Sequence, residues 1–204
     1  MEQNNTVLQP IHISNREELV NQVTAEAFEG IFRIDEQITE KVASRLARSI
    51  NYRILKHPGS PIYLVINSPG GHVTDGLAIF DIIEGAKASG CDVYTIGTGI
   101  AASMGAYLLA AGSKGKRYAT PNCSILLHQP MSGVRGQVTD MQIHVENVIK
   151  IKEKLLRHFS DFTGQPVEEL RPKMERDYII DAEQAMQEGI IDLIDFEINI
   201  IQKG

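Results

Sequence analysis

Gly97-Thr98-Gly99-Ile100-Ala101-Ala102-Ser103-Met104-Gly105-Ala106 decides how the chain is read. A single hydroxyl pair punctuates an otherwise small and apolar run, and Ser103 is the member followed by a helix-like segment, Met104 to Ala111. An apolar, strand-like segment, Asp92 to Gly97, precedes it. A serine at a strand-to-helix turn is the layout of an exposed nucleophile: small neighbours let a carbonyl approach, and the helix start offers backbone N–H groups. The spacing departs from G-x-S-x-G, because Ala101 stands two before the serine. Taken alone, the run equally fits a small polar residue in a Gly/Ala-rich packed helix.

Working outward, a short strand is expected near Gly30 to Ile34, with Asp35 capping a following helix and Glu36 in its first turn. Ile38, Val42, Leu46 and Ile50 recur every four residues and form its apolar stripe. Pro58-Gly59-Ser60-Pro61 breaks it. Ile62 to Ile66 is nearly all apolar, as in a strand covered on both faces. It runs into Asn67-Ser68-Pro69-Gly70-Gly71-His72. Thr74 is then expected to cap a helix that buries Leu77, Ala78, Phe80, Ile82 and Ile83 and stops at Gly90. Beyond the serine helix, Ser113 to Lys116 makes a turn, and Ser124 to Leu127 forms a strand that delivers His128-Gln129-Pro130. A glycine-rich segment, Ser132 to Gln137, precedes a capping box at Thr139 to Gln142. That box opens a long helix with Met141, Val145, Val148, Leu155, Phe159 and Phe162 on one stripe, closed by Gly164. The stripe is longer than a chain of this size needs, so part of it is expected against another subunit. Pro166 to Met174 reads as a short helix, Asp181 as the cap of the last helix, and Ile190 to Ile201 as a closing strand. Alternating strands and helices imply an α/β fold with a largely parallel sheet.

The 204 residues carry a formal charge of −6, and no basic stripe is present to neutralise phosphates, which argues against nucleic acid as a partner. Cys91 and Cys123 cannot build a disulfide framework and lack zinc-ligand clustering, so they read as free thiols in a reducing, cytoplasmic compartment, with no metal. The first ten residues hold no apolar core for a secretory signal. The most apolar run, Gly99 to Gly112, spans fourteen positions with three glycines, short of the about 20 residues a membrane crossing needs.

A serine hydroxyl needs a base to take its proton. Of six histidines, His128 stands at the C-terminal end of a buried strand, where open α/β sheets place functional side chains. A carboxylate must then orient the imidazole. Twenty-six acids compete; Asp181 is committed to a cap, and Asp177, across the short strand Tyr178 to Ile180, is free. The N–H groups of Gly71 and Met104 are the natural oxyanion donors, since a glycine can turn its amide toward substrate and the residue after the nucleophile faces the same spot.

Several blocks occur together in order: Asn67-Ser68-Pro69-Gly70-Gly71, Ala101-Ala102-Ser103-Met104-Gly105-Ala106, Gly115-Lys116-Arg117-Tyr118, His128-Gln129-Pro130, Gly136-Gln137-Val138-Thr139-Asp140, Thr163-Gly164-Gln165 and Glu175-Arg176-Asp177. From about residue 28 to residue 200 the chain resembles the proteolytic subunit of the Clp protease, a serine peptidase family. The resemblance implies an α/β, crotonase-like (ClpP-type) superhelical fold with a protruding handle helix, here the one from Thr139. It implies a catalytic Ser103, His128 and Asp177, oxyanion amides at Gly71 and Met104, and extended substrate held along Gly70 and along Ser132, Gly133 and Val134 by strand addition. It also implies two stacked seven-subunit rings, of this chain alone or mixed with a second such subunit. The ring would be served by an AAA+ unfoldase such as ClpX, ClpA or ClpC and take unfolded polypeptides. No cofactor is implied, and ATP would be used by the unfoldase, since this chain has no G-x-x-x-x-G-K-[ST] loop. Residues 1–27 form an N-terminal arm outside the resemblance, and 28–204 the peptidase domain. Val65 and Phe162 stand where many members carry an aromatic and a histidine respectively.

Three rival readings follow from the same residues. One is a catalytically silent ring subunit that scaffolds or gates. Another is a crotonase-type acyl-CoA enzyme using acids in place of a Ser–His pair. The third is a Ser–Lys dyad employing Lys114 or Lys116.

Overall fold

The computed structural model describes residues 21, 24–197, 199 and 201. A helical segment, α1 (24–29), leads into β1 (Ile31–Ile34), which starts a seven-stranded sheet. The order β1-β2-β3-β4-β7 is parallel throughout, with β2 at Ile62–Ser68, β3 at Val93–Ala102, β4 at Arg117–Ala119 and β7 at Leu193–Ile194. The strand β5 (Ser124–Leu127) pairs in parallel with the second half of β3, and β6 (Tyr178–Ile180) pairs antiparallel with β5. Between the strands run α2 (Glu40–Lys56), α3 (Val73–Ala88), α4 (Met104–Ala110), α5 (Val138–Thr163), α6 (Val167–Lys173) and α7 (Ala182–Gln187).

The expected two-sided burial of the central strand holds: Ile62 to Ile66 are all buried. Leu64 and Ile66 join the helices on one face, while Tyr63, Val65, Tyr94 and Ile96 form a smaller cluster on the other. The run from β3 into α4 is split by the glycine at 99. Gly99 has φ +60, and a Cβ there would lie 2.7 Å from Asn67 Oδ1, whose oxygen instead accepts the Ile100 N–H at 3.2 Å. The irregularity moves the partner of β3 from β4 to β5, which aims the end of β3 at the site.

Several expected boundaries move. Helix α2 starts at Glu40 from Thr39, not from Asp35, because Ile38 is spent in a bridge: its N–H donates to Gly70 O and its carbonyl accepts from the His72 N–H. Helix α3 is entered from His72, leaving Thr74 inside the first turn; its buried stripe is Gly76, Ile79, Ile83 and Ala86, with Ala78 exposed and Leu77, Phe80 and Ile82 half-buried. The stripe includes Gly76 because the Met104 side chain occupies the space a Cβ would fill, 2.3 Å from Cε. Helix α5 starts at Val138 from Gln137, so Thr139 is not its cap. Strand β4, read as chain following a turn, is a strand. The closing strand is only two residues long, since the Asp195 carboxylate accepts the Phe196 N–H and turns the chain toward helix. Asp181 does cap α7, accepting from the Gln184 N–H at 2.8 Å.

Arg117 on β4 is fully buried and forks onto Asp192, with Nε to Oδ2 at 2.9 Å and Nη2 to Oδ1 at 2.6 Å, while Nη1 donates to Phe162 O at 2.8 Å. The pair ties the sheet to the end of α5. Burial pushes the Asp192 carboxyl up, but the hydrogen bonds and charge of Arg117 outweigh it and hold it below the usual carboxylate range. No described helix is long and apolar enough to cross a membrane.

Candidate active site

Ser103 has φ 54 and ψ −119 and is the one non-glycine residue at positive φ among those described. That combination is the glycine-favoured first central position of a type II′ turn. Its strain is held by what surrounds it: Ser103 N donates to Leu126 O on β5 at 2.8 Å, and Ser103 O accepts from Tyr107 N at 3.0 Å. Helix α4 beyond it is buried along its whole length. The Ser103 hydroxyl does not cap α4 and has no hydrogen-bond partner among the described residues, so it is available to a substrate.

The Gly70-Gly71 turn packs directly on this elbow. A Cβ on Gly70 would lie 2.6 Å from Ala102 O, 2.7 Å from Ser103 Cβ and 3.2 Å from Met104 N. A Cβ on Gly71 would lie 2.1 Å from Ile38 O. Both positions therefore exclude any side chain, and the main chain after β2 lies against the main chain after β3. The Gly71 and Met104 amides are left without a partner among the described residues: Met104 opens α4, where an amide has no intrahelical acceptor, and Gly71 lies two residues ahead of α3.

Sheet register brings the other two predicted residues in. On β3 and β5, Ala102 pairs with Leu126, so the next residues beyond both strand ends are Ser103 and, two along, His128. On β5 and β6, Leu127 pairs with Tyr178, so one step past the last rung stand His128 and Asp177. Ser103 and His128 line one cavity with Met104, Leu155, Leu156 and Phe159. His128 and Asp177 line a second, open recess beside it. His128 thus lines both.

No hydrogen bond joins any two of the three among the described residues. His128 Nδ1 lies 2.6 Å from the carbonyl of Gln129. A carbonyl only accepts, so Nδ1 carries the proton and Nε2 keeps the lone pair a base needs. Asp177 is exposed. Ser132, Gly133 and Val134 are exposed and form no strand; Ser132 Oγ pairs instead with His144 Nε2 at 2.7 Å.

The Tyr107 hydroxyl on the apolar side of the cavity is already bonded. Tyr107 hydrogen-bonds His158 Nδ1 within a cluster of Phe80, Phe159 and Phe162. Burial pushes the Tyr107 hydroxyl well above its ordinary value and His158 below its own, so the neutral phenol donates to a neutral imidazole. Sequence reasoning missed Lys152, which lines the same cavity. Its signal was a charge on the helix face that carries Leu155, Leu156 and Phe159. No cluster of metal-ligating side chains occurs among the described residues.

A hydroxyl on a strained elbow, two main-chain amides beside it and a histidine in the same cavity make a site suited to acyl transfer, on an α/β fold. The family model described as Clp protease matches residues 15–197. The chain belongs to the Clp protease family, and its fold is of the ClpP type.

Proposed function

We propose that this chain is a serine endopeptidase that cleaves extended polypeptide inside a chamber of two stacked rings. His128 Nε2 removes the proton of Ser103 Oγ as the oxygen attacks the scissile carbonyl. The Gly71 and Met104 N–H groups stabilise the oxyanion, each worth on the order of 3 kcal/mol. His128 returns the proton to the departing amine, and water, deprotonated by the same nitrogen, frees the acyl group. Asp177 takes the Nδ1–H from the Gln129 carbonyl in the productive arrangement and steadies the imidazolium. The observation that carries this reading is the strained φ of Ser103 against the Gly70-Gly71 turn, with His128 in the same cavity. The apolar walls favour an apolar residue before the cleaved bond.

Helix α5 supports the ring contact. Its C-terminal half is buried through Leu155, Leu156 and Phe159, whereas Val138, Ile143, Val145 and Ile149 in its first half are exposed. A separate ATP-dependent unfoldase feeds the chamber; the N-terminal arm expected over residues 1–27 falls largely outside the described residues.

A silent ring subunit is the second reading, favoured by the Nδ1–H resting on Gln129 rather than Asp177. A fluorophosphonate probe separates the two. Labelling mapped to Ser103, with peptide cleavage lost in Ser103→Ala and His128→Ala, is the expected result. An unlabelled wild-type ring of native mass would leave only the silent subunit.

A further inference from the structure

We propose that Lys152, acting through Gln129 and Glu175, is a positioning residue that keeps His128 and Asp177 opposite each other. The inference rests on the peptidase reading above.

Main-chain pairing between β5 and β6 ends at Leu127 and Tyr178, one step short of His128 and Asp177. Side chains take over from there. Gln129 Nε2 donates to the main-chain carbonyl of Glu175 at 3.0 Å and to its carboxylate Oε1 at 3.3 Å. Lys152 Nζ donates to Gln129 Oε1 and to Glu175 Oε2, both at 2.9 Å. The three groups close a circuit that supplies the missing rung between the loop bearing His128 and the loop bearing Asp177. All its donors and acceptors are matched in sign, and the lysine's hydrogen bond holds the Glu175 carboxyl below its ordinary range, ionised.

The circuit is anchored from outside the sheet. Lys152 belongs to α5, one turn before the buried Leu155 and Leu156, so its ammonium is presented by a helix fixed in the core. Gln129 is fixed twice. Its side chain is in the circuit, and its main-chain carbonyl receives the His128 Nδ1–H. Freeing the side chain loosens the segment that carries His128, its neighbour in the chain, relative to the Glu175 loop. It also loosens Asp177, exposed and without a partner of its own among the described residues.

Lys152→Met keeps the aliphatic stem that lines the cavity and removes the cation. With wild-type native mass, it is expected to lower kcat on a fluorogenic peptide about 10- to 100-fold with little change in KM, the cost of slight misplacement of reacting groups. The rate of fluorophosphonate labelling at Ser103 should fall in proportion. Lys152→Arg restores most of the rate. Glu175→Gln, on an exposed loop where misfolding is not a concern, lowers kcat in the same direction. Unchanged kcat in Lys152→Met or in Glu175→Gln overturns the proposal. So does a loss carried by KM alone, which would make Lys152 a wall of the cavity. A wild-type protein that neither labels nor cleaves refutes the peptidase reading, and this inference with it; a wild type that does both, beside indifferent variants, refutes only the inference.

Discussion

Replacing Ser103 by glycine should make the protein more stable while abolishing any chemistry at that position. Ser103 sits at φ 54 and ψ −119, outside even the left-handed helical region that a non-glycine residue can enter. Holding a side chain there costs about 1–3 kcal/mol. Its ψ places it toward the upper part of that range. Glycine adopts the conformation freely but gives back about 0.4–1 kcal/mol through the greater freedom of the unfolded chain. The net gain is about 1–2 kcal/mol, which for a chain of this size raises Tm by about 2–8 °C. The control is Ser103→Ala, which removes the hydroxyl and keeps the Cβ and its strain. Melts of the wild type, the alanine variant and the glycine variant are compared at equal protein concentration, since assembly adds to apparent stability. Expected is a glycine variant melting above the alanine variant, with neither labelled by a fluorophosphonate. A glycine variant no more stable than the alanine variant would refute the argument that this elbow stores strain for function.

Gly71→Ala places a methyl 2.1 Å from Ile38 O and 2.7 Å from Ile38 N, so the Ile38–Gly71 bridge must open. It should cost more than about 1 kcal/mol in urea melts, and losing the oxyanion donor should lower kcat by about 10²–10³. His158 is pushed below its ordinary value by burial, so the fold favours its neutral form. The stability from that preference is present above the unfolded pKa of about 6.5 and is lost as pH falls from there toward the folded value. Urea melts at pH 8 and pH 5 should show a smaller difference in His158→Gln than in wild type; an equal difference would remove His158 as a source of the acid sensitivity.

Much of the frame was legible from residue pattern. The apolar run from Ile62 to Ile66 and the turn at Ser103 carry their meaning locally, because two-sided burial demands continuous apolarity and a tight elbow demands small neighbours. Helix starts were less legible. Asp35, Thr74 and Thr139 are good capping types, yet the helices begin elsewhere; for α2 the reason is that Ile38 is taken by a bridge to Gly71. A cap preference of about 1 kcal/mol cannot outweigh such contacts. Lys152 stayed hidden for a similar reason: nothing in its own neighbourhood says that Gln129 and Glu175 will meet it.

By itself the amino-acid order supplied the local parts of the site: a serine at a strand-to-helix junction, a histidine closing a strand, and paired glycines. Only the tertiary structure decided which groups meet. Parallel register between β3 and β5, and antiparallel register between β5 and β6, carry residues 25 and 49 positions apart to neighbouring strand ends. Local sequence cannot encode that, because register is set by the burial of whole strand faces and by bulges far from the site.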